Sequence, residues 1–369
     1  MAYLKNITLK GRLMEFPIYF PDATRAVIRT LDSQDLRSAG VEGVVTNTYH
    51  LMTQPGTTVI GQHGGLHKFM GWDGWITTDS GGFQVMSMLQ GNPHLGKITD
   101  DGIVFYQGSQ GKRQKYQFTP EKSIQVQFKL GADIMVCLDE FTNPRAGQNE
   151  AEISVNRTTA WAKRCRDEFD RLVKQHKMTD TTRPILIGVI QGGRDKKLRA
   201  RSARELMKIG FDGYGLGGWP IDENGKLDIE LVKFNADLTP DSLVKFALGI
   251  GNPQDIIECF KMGYTIFDCV LPTRDARHQR LYTFRHDPDH VDLLSVDQIN
   301  KYLYILREPY VRDQRPISEH CDCHTCQHYS RAYLHHLFRI KDATAGRLAT
   351  IHNLRMYTRL IEKLRSFAY

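Results

Sequence analysis

Short apolar runs recur along the chain, separated by longer stretches of helical periodicity, and each run stops at a polar residue or a glycine. The runs cover residues 16–20 before Asp22, 43–45 at Asn47, 75–78 at Asp79 and 134–138 at Asp139. Four more follow at 185–190 before Gln191, 213–216 before Gly217 and Gly218, 244–248 before Gly249, and 264–267 before Asp268. Several are apolar without a break, the pattern of parallel strands covered on both faces. The intervening stretches carry helix punctuation. Thr119-Pro120-Glu121 opens one helix with proline in its first turn, and Gly131 ends it. Asn252-Pro253 opens another that Gly263 closes, and residues 198–209 end at Gly210.

Eight strand–helix alternations predict an α/β fold of the (β/α)8 TIM-barrel type. In such a barrel chemistry gathers at the C-terminal ends of the strands, so Asp79, Asp139, Gln191 and Asp268 should converge on one mouth. The competing arrangement is an open doubly wound sheet in which the aspartates only cap helices.

Composition narrows the class without changing it. Of 369 residues, 41% are hydrophobic and 25% charged, which excludes a disordered tail, a collagen-like fibre and a small disulfide scaffold. No apolar run approaches the roughly 20 residues of a membrane span, and residues 1–12 lack an apolar leader core, so a cytoplasmic protein with no membrane partner is expected. Lys plus Arg exceed Asp plus Glu by 49 − 42 = 7, which permits a polyanionic partner without demanding one.

Cysteine placement adds a metal. Cys321, Cys323 and Cys326 form C-x-C-x-x-C, while the other four cysteines are scattered. In a reducing compartment such a cluster reads as a zinc knuckle. His352 on the last helical stretch would complete a tetrahedral set and leave no open position, making the Zn2+ structural. His324, His328, His335 and His336 compete for the fourth place. Around this knuckle Arg331, Arg339, Arg347, Arg355, Arg359 and Arg365 form either a solvated face or a phosphate-contacting surface. The expected division is a barrel with an N-terminal extension over residues 1–300 and a zinc-binding subdomain with a closing helix over 301–369.

Two segments carry more than pattern. Thr78-Asp79-Ser80-Gly81-Gly82-Phe83-Gln84-Val85 and Phe267-Asp268-Cys269-Val270-Leu271-Pro272-Thr273-Arg274 resemble the active-site turns of the tRNA-guanine transglycosylase (queuine/preQ1 tRNA-ribosyltransferase) family. Asn47-Thr48-Tyr49-His50-Leu51, Gln191-Gly192-Gly193 and residues 330–337 are similar too, in the same order and with the zinc spacing. The resemblance implies exchange of guanine at the tRNA anticodon wobble position for a 7-deazaguanine such as preQ1. It implies Asp268 as nucleophile and Asp79 as general acid/base. Asp139, Gln191 and Gly218 would read the base edge, and Phe83 and Leu248 would sandwich the base. Arg274, Arg277 and Arg280 would meet the RNA, Cys321, Cys323, Cys326 and His352 would hold Zn2+, and the chain would form a homodimer through its zinc region.

Physical chemistry supports those roles. Cleaving an N-glycosidic bond builds positive charge at C1′, which a carboxylate can trap covalently. The departing base needs a proton from a second carboxyl, so two aspartates in different protonation states are required. Some residues depart from the family pattern: Trp219-Pro220-Ile221 follows Gly218, Phe141 follows Glu140, and Arg277-His278-Gln279 replaces the usual Arg-Asn-Gly. The added bulk favours a small aminomethyl substituent on the incoming base. It also keeps open a DNA-modifying or otherwise specialised deazaguanine transferase. From another class, a non-catalytic RNA-binding subunit is the remaining alternative.

Overall fold

The computed structural model describes residues 4–107, 114–142 and 147–368. Eight parallel strands form one sheet: β1 (Ile18–Pro21), β2 (Gly43–Thr46), β3 (Trp75–Thr78), β4 (Ile134–Val136), β5 (Ile185–Ile190), β6 (Gly213–Leu216), β7 (Val244–Ala247) and β8 (Ile266–Cys269). Around the sheet the order is β1-β8-β7-β6-β5-β4-β3-β2. The two ends meet where the Ala23 N–H donates to the Val45 carbonyl at 2.7 Å and Asp22 bridges Val45. The sheet is therefore a closed barrel, and the open-sheet alternative falls.

Alternate residues of the strands fill the interior. Ile18 and Phe20, Ile134 and Val136, Ile187 and Val189, and Val244 and Phe246 share one buried cluster. Leu9 and Met14, from the hairpin of Asn6–Leu9 and Arg12–Glu15, join that cluster and plug the N-terminal end. Gly43 leaves the space that the Phe20 ring takes, since a Cβ there would lie 2.3 Å from that ring. The outward residues of the strands pack beneath the helices in separate clusters.

Several strand boundaries differ from the sequence pattern, the runs at 134–138 and 244–248 leaving the ladder after Val136 and Ala247. The first and last runs start two residues early, because Phe16 and Tyr264 are buried outside the ladder. As a result Asp268 belongs to β8 itself, paired with Phe20, instead of following the strand. An antiparallel sheet of Gly96–Thr99, Gly102–Gln107 and Gln114–Phe118 is inserted between β3 and β4. After β8 come the helix Leu271–Arg277, a hairpin of Arg280–Phe284 with Asn300–Tyr304, two short helices, and the long helix Ala343–Ala368. That last helix returns to the barrel wall. The Tyr357 hydroxyl donates to the Gly251 carbonyl at 2.6 Å and the Arg365 Nε to the Pro17 carbonyl at 3.0 Å.

At the foot of β4 one carboxylate ties three elements together. Asp133 accepts from the Ile76 N–H at 2.9 Å, Lys10 Nζ at 2.8 Å and His67 Nε2 at 3.0 Å. These partners hold its pKa below the usual carboxylate range against the burial that pushes it up. Asp133→Ala leaves the Ile76 N–H buried without its acceptor and Lys10 without its carboxylate, and is expected to cost about 2–4 kcal/mol in urea unfolding. A loss below about 0.5 kcal/mol would show that the barrel foot does not depend on this carboxylate.

Candidate active site and metal centre

The C-terminal ends of the strands surround a cavity of about 730 Å3 lined by Asp22, Asp79, Phe83, Asp139, Gly218, Leu248, Asp268 and Arg274 among others. Six of the residues singled out in the sequence as substrate-handling groups thus meet at one mouth, together with Arg274. Gln191 is buried just behind the wall and reaches the cavity through Asp139.

Asp79 follows β3 and is gripped from the turn after β2. Asn47 Nδ2 donates to its Oδ2 at 2.7 Å, and the Thr48 and Gly81 N–H groups donate to its Oδ1 at 3.1 and 3.0 Å. Asn47 does double duty, because its Oδ1 also caps the helix Thr48–Thr53 by accepting from the His50 N–H at 2.8 Å. Gly81 supplies the left-handed turn, at φ 79°, that brings its amide back onto the carboxylate. Despite three donors, burial raises the Asp79 pKa to about 7.

Among the described residues Asp268 receives one hydrogen bond, from the Gly249 N–H at 2.9 Å. Burial pushes its pKa to about 7, and the negative field of Asp22 adds to the rise. Asp22 acts on Asp79 in the same direction. Its own carboxylate accepts from the Thr24 N–H at 2.7 Å, at the end of β1. Since β1 and β2 lie between β8 and β3 in the ring, a third carboxylate stands between the two aspartates. Asp139 is raised to about 6, mainly by burial, with hydrogen bonds from Gln191 and Ser80 pulling the other way. Gln191 Nε2 donates to Asp139 Oδ2 at 2.7 Å, and its Oε1 accepts from Thr142 Oγ1 at 3.1 Å. The amide orientation is thereby fixed.

Phe83 is not a core residue. It is 47% exposed and meets Phe141 edge-on at 5.1 Å between ring centroids. Trp219, 51% exposed, and Ile221 line the cavity on the side of Gly218. The three arginines after β8 separate. Arg274 lines the cavity, whereas Arg277 is half-buried near Arg29 and Arg274; burial first, and then those charges, lower its pKa. Arg280 is engaged with Asp275 at 2.6 Å and lies over the Tyr302 ring.

Sequence reasoning gave no role to Asp22, Gly249 or Arg199, or to Asn47 and Thr48 as the grip on Asp79. Asp22 carried a usable signal, since it follows an apolar run like the other strand-end aspartates. Arg199 carried none: it lies in a charged helix, Lys196–Ile209, where one arginine among many looks solvated.

Away from the mouth, Cys321, Cys323, Cys326 and His352 bring their ligand atoms within 4.8 Å of one another. His352 Nδ1 lies 3.3 Å from Cys326 Sγ and 3.7 Å from Cys323 Sγ. Its Nε2 is 2.7 Å from the Tyr282 carbonyl and must carry the proton to bond there, which leaves the Nδ1 lone pair facing the thiols. Three soft sulfurs and one imidazole nitrogen suit a metal ion such as Zn2+. His324 and His328 instead pack against each other, 4.7 Å between centroids.

Two outcomes follow from this geometry. Asp268 rises from about 4 in an unfolded chain to about 7 here, so the folded state binds the extra proton. That stabilisation is complete below about pH 4 and is lost as pH rises through 7. Asp268→Asn keeps the acceptor for Gly249 and is expected to stabilise the fold by on the order of 1–3 kcal/mol at pH 8, with little effect near pH 4. Equal effects at both pH values in urea titrations would contradict the buried ionisation. For the metal centre, strong chelation or Cys326→Ala is expected to lower Tm by several degrees and to expose thiols to a colorimetric reagent. A chelator without effect on either reading, on protein shown by elemental analysis to have lost its metal, would exclude a stabilising metal.

A family model described as Queuine tRNA-ribosyltransferase matches residues 2–367 of the chain. A protein of Caldanaerobacter subterraneus subsp. tengcongensis named Queuine tRNA-ribosyltransferase is 40% identical over 353 residues, 96% of this chain and 86% of its own. Proteins of the same name from Staphylococcus aureus strains bovine RF122 / ET3-1 and JH9 are 39% identical over 351 residues, 95% of this chain and 85% of theirs. With this coverage and a closed barrel carrying both aspartate turns, the chain belongs to the queuine tRNA-ribosyltransferase family, enzymes of the pentosyltransferase class.

Proposed function

We propose that this chain exchanges guanine at the wobble position of a tRNA anticodon for a 7-deazaguanine through a covalent aspartyl-ribosyl intermediate. The observation that carries the reading is the pair of buried carboxyls, Asp79 and Asp268, on one cavity and both near neutrality. At pH 7 such a pair readily holds one proton between its members, the state that acid-assisted displacement requires.

Asp268 attacks C1′ as the C1′–N9 bond breaks, and the bonding pair leaves with the guanine. Asp79 gives the departing base its proton. In the return half, the incoming base loses its N9 proton to Asp79, N9 bonds to C1′, and the Asp268 carboxylate is released. One base leaves before the next enters, which gives ping-pong kinetics. Asp139 accepts from N1–H and N2–H of the base, while Gln191 Nε2 and the Gly218 N–H donate to O6. Phe83 and Leu248 close on its two faces. The nucleotide must leave the RNA stack to enter, which costs least in a loop. Arg274 and Arg277 at the rim meet the phosphates, and Arg280 supports that helix through Asp275. Trp219, Ile221 and Phe141 narrow the space beyond the base and favour preQ1 over a base with a bulky substituent.

The same reading divides the chain into a barrel over 1–300 and a zinc-binding region over 301–369. Zn2+ on Cys321, Cys323, Cys326 and His352 is structural, because four protein ligands leave no position for water. A cytoplasmic homodimer joined through the zinc region completes it. No helix among the described residues is long and apolar enough to cross a membrane. A purely non-catalytic subunit would have no need to keep two carboxyls buried without cations, a costly arrangement.

The deciding experiment follows radiolabelled guanine into bulk tRNA and into DNA, with deazaguanines as competitors. Exchange into tRNA suppressed by preQ1 is expected, and labelling of DNA alone would replace tRNA as substrate. Asp268→Asn should abolish the trapped RNA adduct, and Asp79→Asn should lower turnover by roughly 10²–10⁴-fold. Wild-type exchange by Asp268→Asn would refute the nucleophile. Asp22→Asn removes a negative charge that raises both aspartates, so the bell-shaped kcat/KM profile should move as a whole to lower pH. An unmoved profile would remove Asp22 from the electrostatics of the pair.

A further inference from the structure

We infer that Arg199 is a positioning residue that strengthens the pocket's grip on the 6-oxo group of the base by polarising the Gly217–Gly218 peptide. The inference rests on the proposed reading that the Gly218 N–H meets the base.

Arg199 is 0% exposed, and among the described residues no carboxylate is hydrogen-bonded to it, Asp228 acting on it only through its field. Its guanidinium instead donates to backbone. Nε bonds the Gly193 carbonyl at 2.7 Å, Nη1 the Ile190 carbonyl at 3.2 Å, and Nη2 the Gly217 carbonyl at 2.9 Å. Nη1 also meets Asn235 Oδ1 at 3.0 Å. One rigid planar group thus fixes the C-terminal ends of both β5 and β6, the strands that deliver Gln191 and Gly218. Desolvation lowers its pKa to about 10, so it stays cationic at neutral pH.

The Gly217 carbonyl and the Gly218 N–H belong to the same peptide group. Among the described residues the only cis peptides precede Pro17 and Pro55, so this one is trans, and its C=O and N–H point in opposite directions. With the carbonyl turned back onto Arg199, the Gly218 N–H faces forward, and Gly218 lines the cavity. A cation bonded to a peptide oxygen draws electron density from the nitrogen and makes the N–H a stronger donor, as hydrogen-bond chains do in a low-dielectric interior. The arrangement keeps Gly218 at φ 85°, where a side chain is disfavoured and a Cβ would lie 3.4 Å from Arg199 Nη2. Burying an uncompensated cation is expensive, and packing alone would be served by an apolar side chain. A positive charge held one peptide behind the base also stabilises negative charge building on O6 as the glycosidic bond breaks.

The test compares guanine, which carries the 6-oxo group and N1–H, with 2-aminopurine, which lacks both, by calorimetric binding to wild type, Arg199→Gln and Arg199→Lys, and reads the change each variant makes in the ratio of the two affinities. Wild type should prefer guanine. Arg199→Gln should weaken guanine at least tenfold while changing 2-aminopurine less than twofold, and Arg199→Lys should fall between. A structural role would weaken both bases alike. Equal weakening, or unchanged guanine binding in folded variants, overturns the inference, and the same comparison on Arg199→Lys decides it if Arg199→Gln does not fold. A wild type that binds both bases equally would instead refute the placement of the Gly218 N–H against the base, separating that failure from this one.

Discussion

Desolvation of carboxyls at the ends of parallel strands is the constraint on which the rest of the molecule depends. Asp79, Asp139 and Asp268 sit where the barrel closes around its mouth, and among the described residues no lysine or arginine is hydrogen-bonded to any of them. A cation in contact would hold these groups ionised and inert as acids. Neutral donors are used instead: an asparagine amide, a glutamine amide and backbone N–H groups. Such donors fix the orientation of a carboxylate while leaving its proton affinity to burial and to neighbouring negative charge. Asp22 then serves as a field source, raising its neighbours while its own oxygen is held by Thr24.

The barrel mouth and the metal centre are joined by two adjacent residues of the last helix. His352 faces the thiols with one ring nitrogen and the Tyr282 carbonyl with the other. Asn353 accepts from the Tyr282 N–H at 3.0 Å and donates to the Pro272 carbonyl at 3.0 Å and the Arg280 carbonyl at 3.1 Å. Pro272 lies in the first turn of the helix that starts just after Asp268 and carries Arg274 and Arg277. A metal ion held by the Cys321, Cys323, Cys326 and His352 cluster would therefore stiffen the segment leaving β8. Arg347 on the same helix as His352 reaches across to Asp35 at 2.9 Å, binding the chain's end to the first helix of the barrel.

Much of this was legible in the sequence. All eight strands announced themselves as apolar runs because parallel barrel strands are buried on both faces and carry no polar alternation to blur them. The strand-end aspartates were legible as a set because the barrel rule converts eight separate turns into one mouth. The cysteines of the cluster that could hold a metal were visible by spacing, and only the choice of histidine was open. That choice depends on which imidazole has its second nitrogen bound to a carbonyl, a contact made seventy residues away at Tyr282. What stayed hidden were groups whose role lies in a partner distant along the chain. Asn47 reads as a helix cap, which it is, and nothing local says that its amide also holds Asp79.

Arg199 shows why such groups escape. Helical periodicity assigns a charged residue to the solvent side by default, since most arginines are there. Here the neighbouring strands end in glycines, and the bare backbone of Gly192, Gly193, Gly217 and Gly218 lets a helix and a guanidinium approach closely. A Cβ on Gly192 would stand 2.7 Å from the Arg199 backbone nitrogen. The glycine pairs that look like loop punctuation are therefore the mould for the buried cation. A carboxylate partner in their place would have neutralised Arg199 and left the two peptides unpolarised. Carbonyl ligands hold the charge in position and pass its field on to the cavity. The acidic groups of the mouth are tuned upward by burial with no cation hydrogen-bonded to them, and the amide wall facing them is tuned by a cation with no carboxylate hydrogen-bonded to it. The two halves of the site thus obey one rule: charge is buried unpaired where its field is to be used.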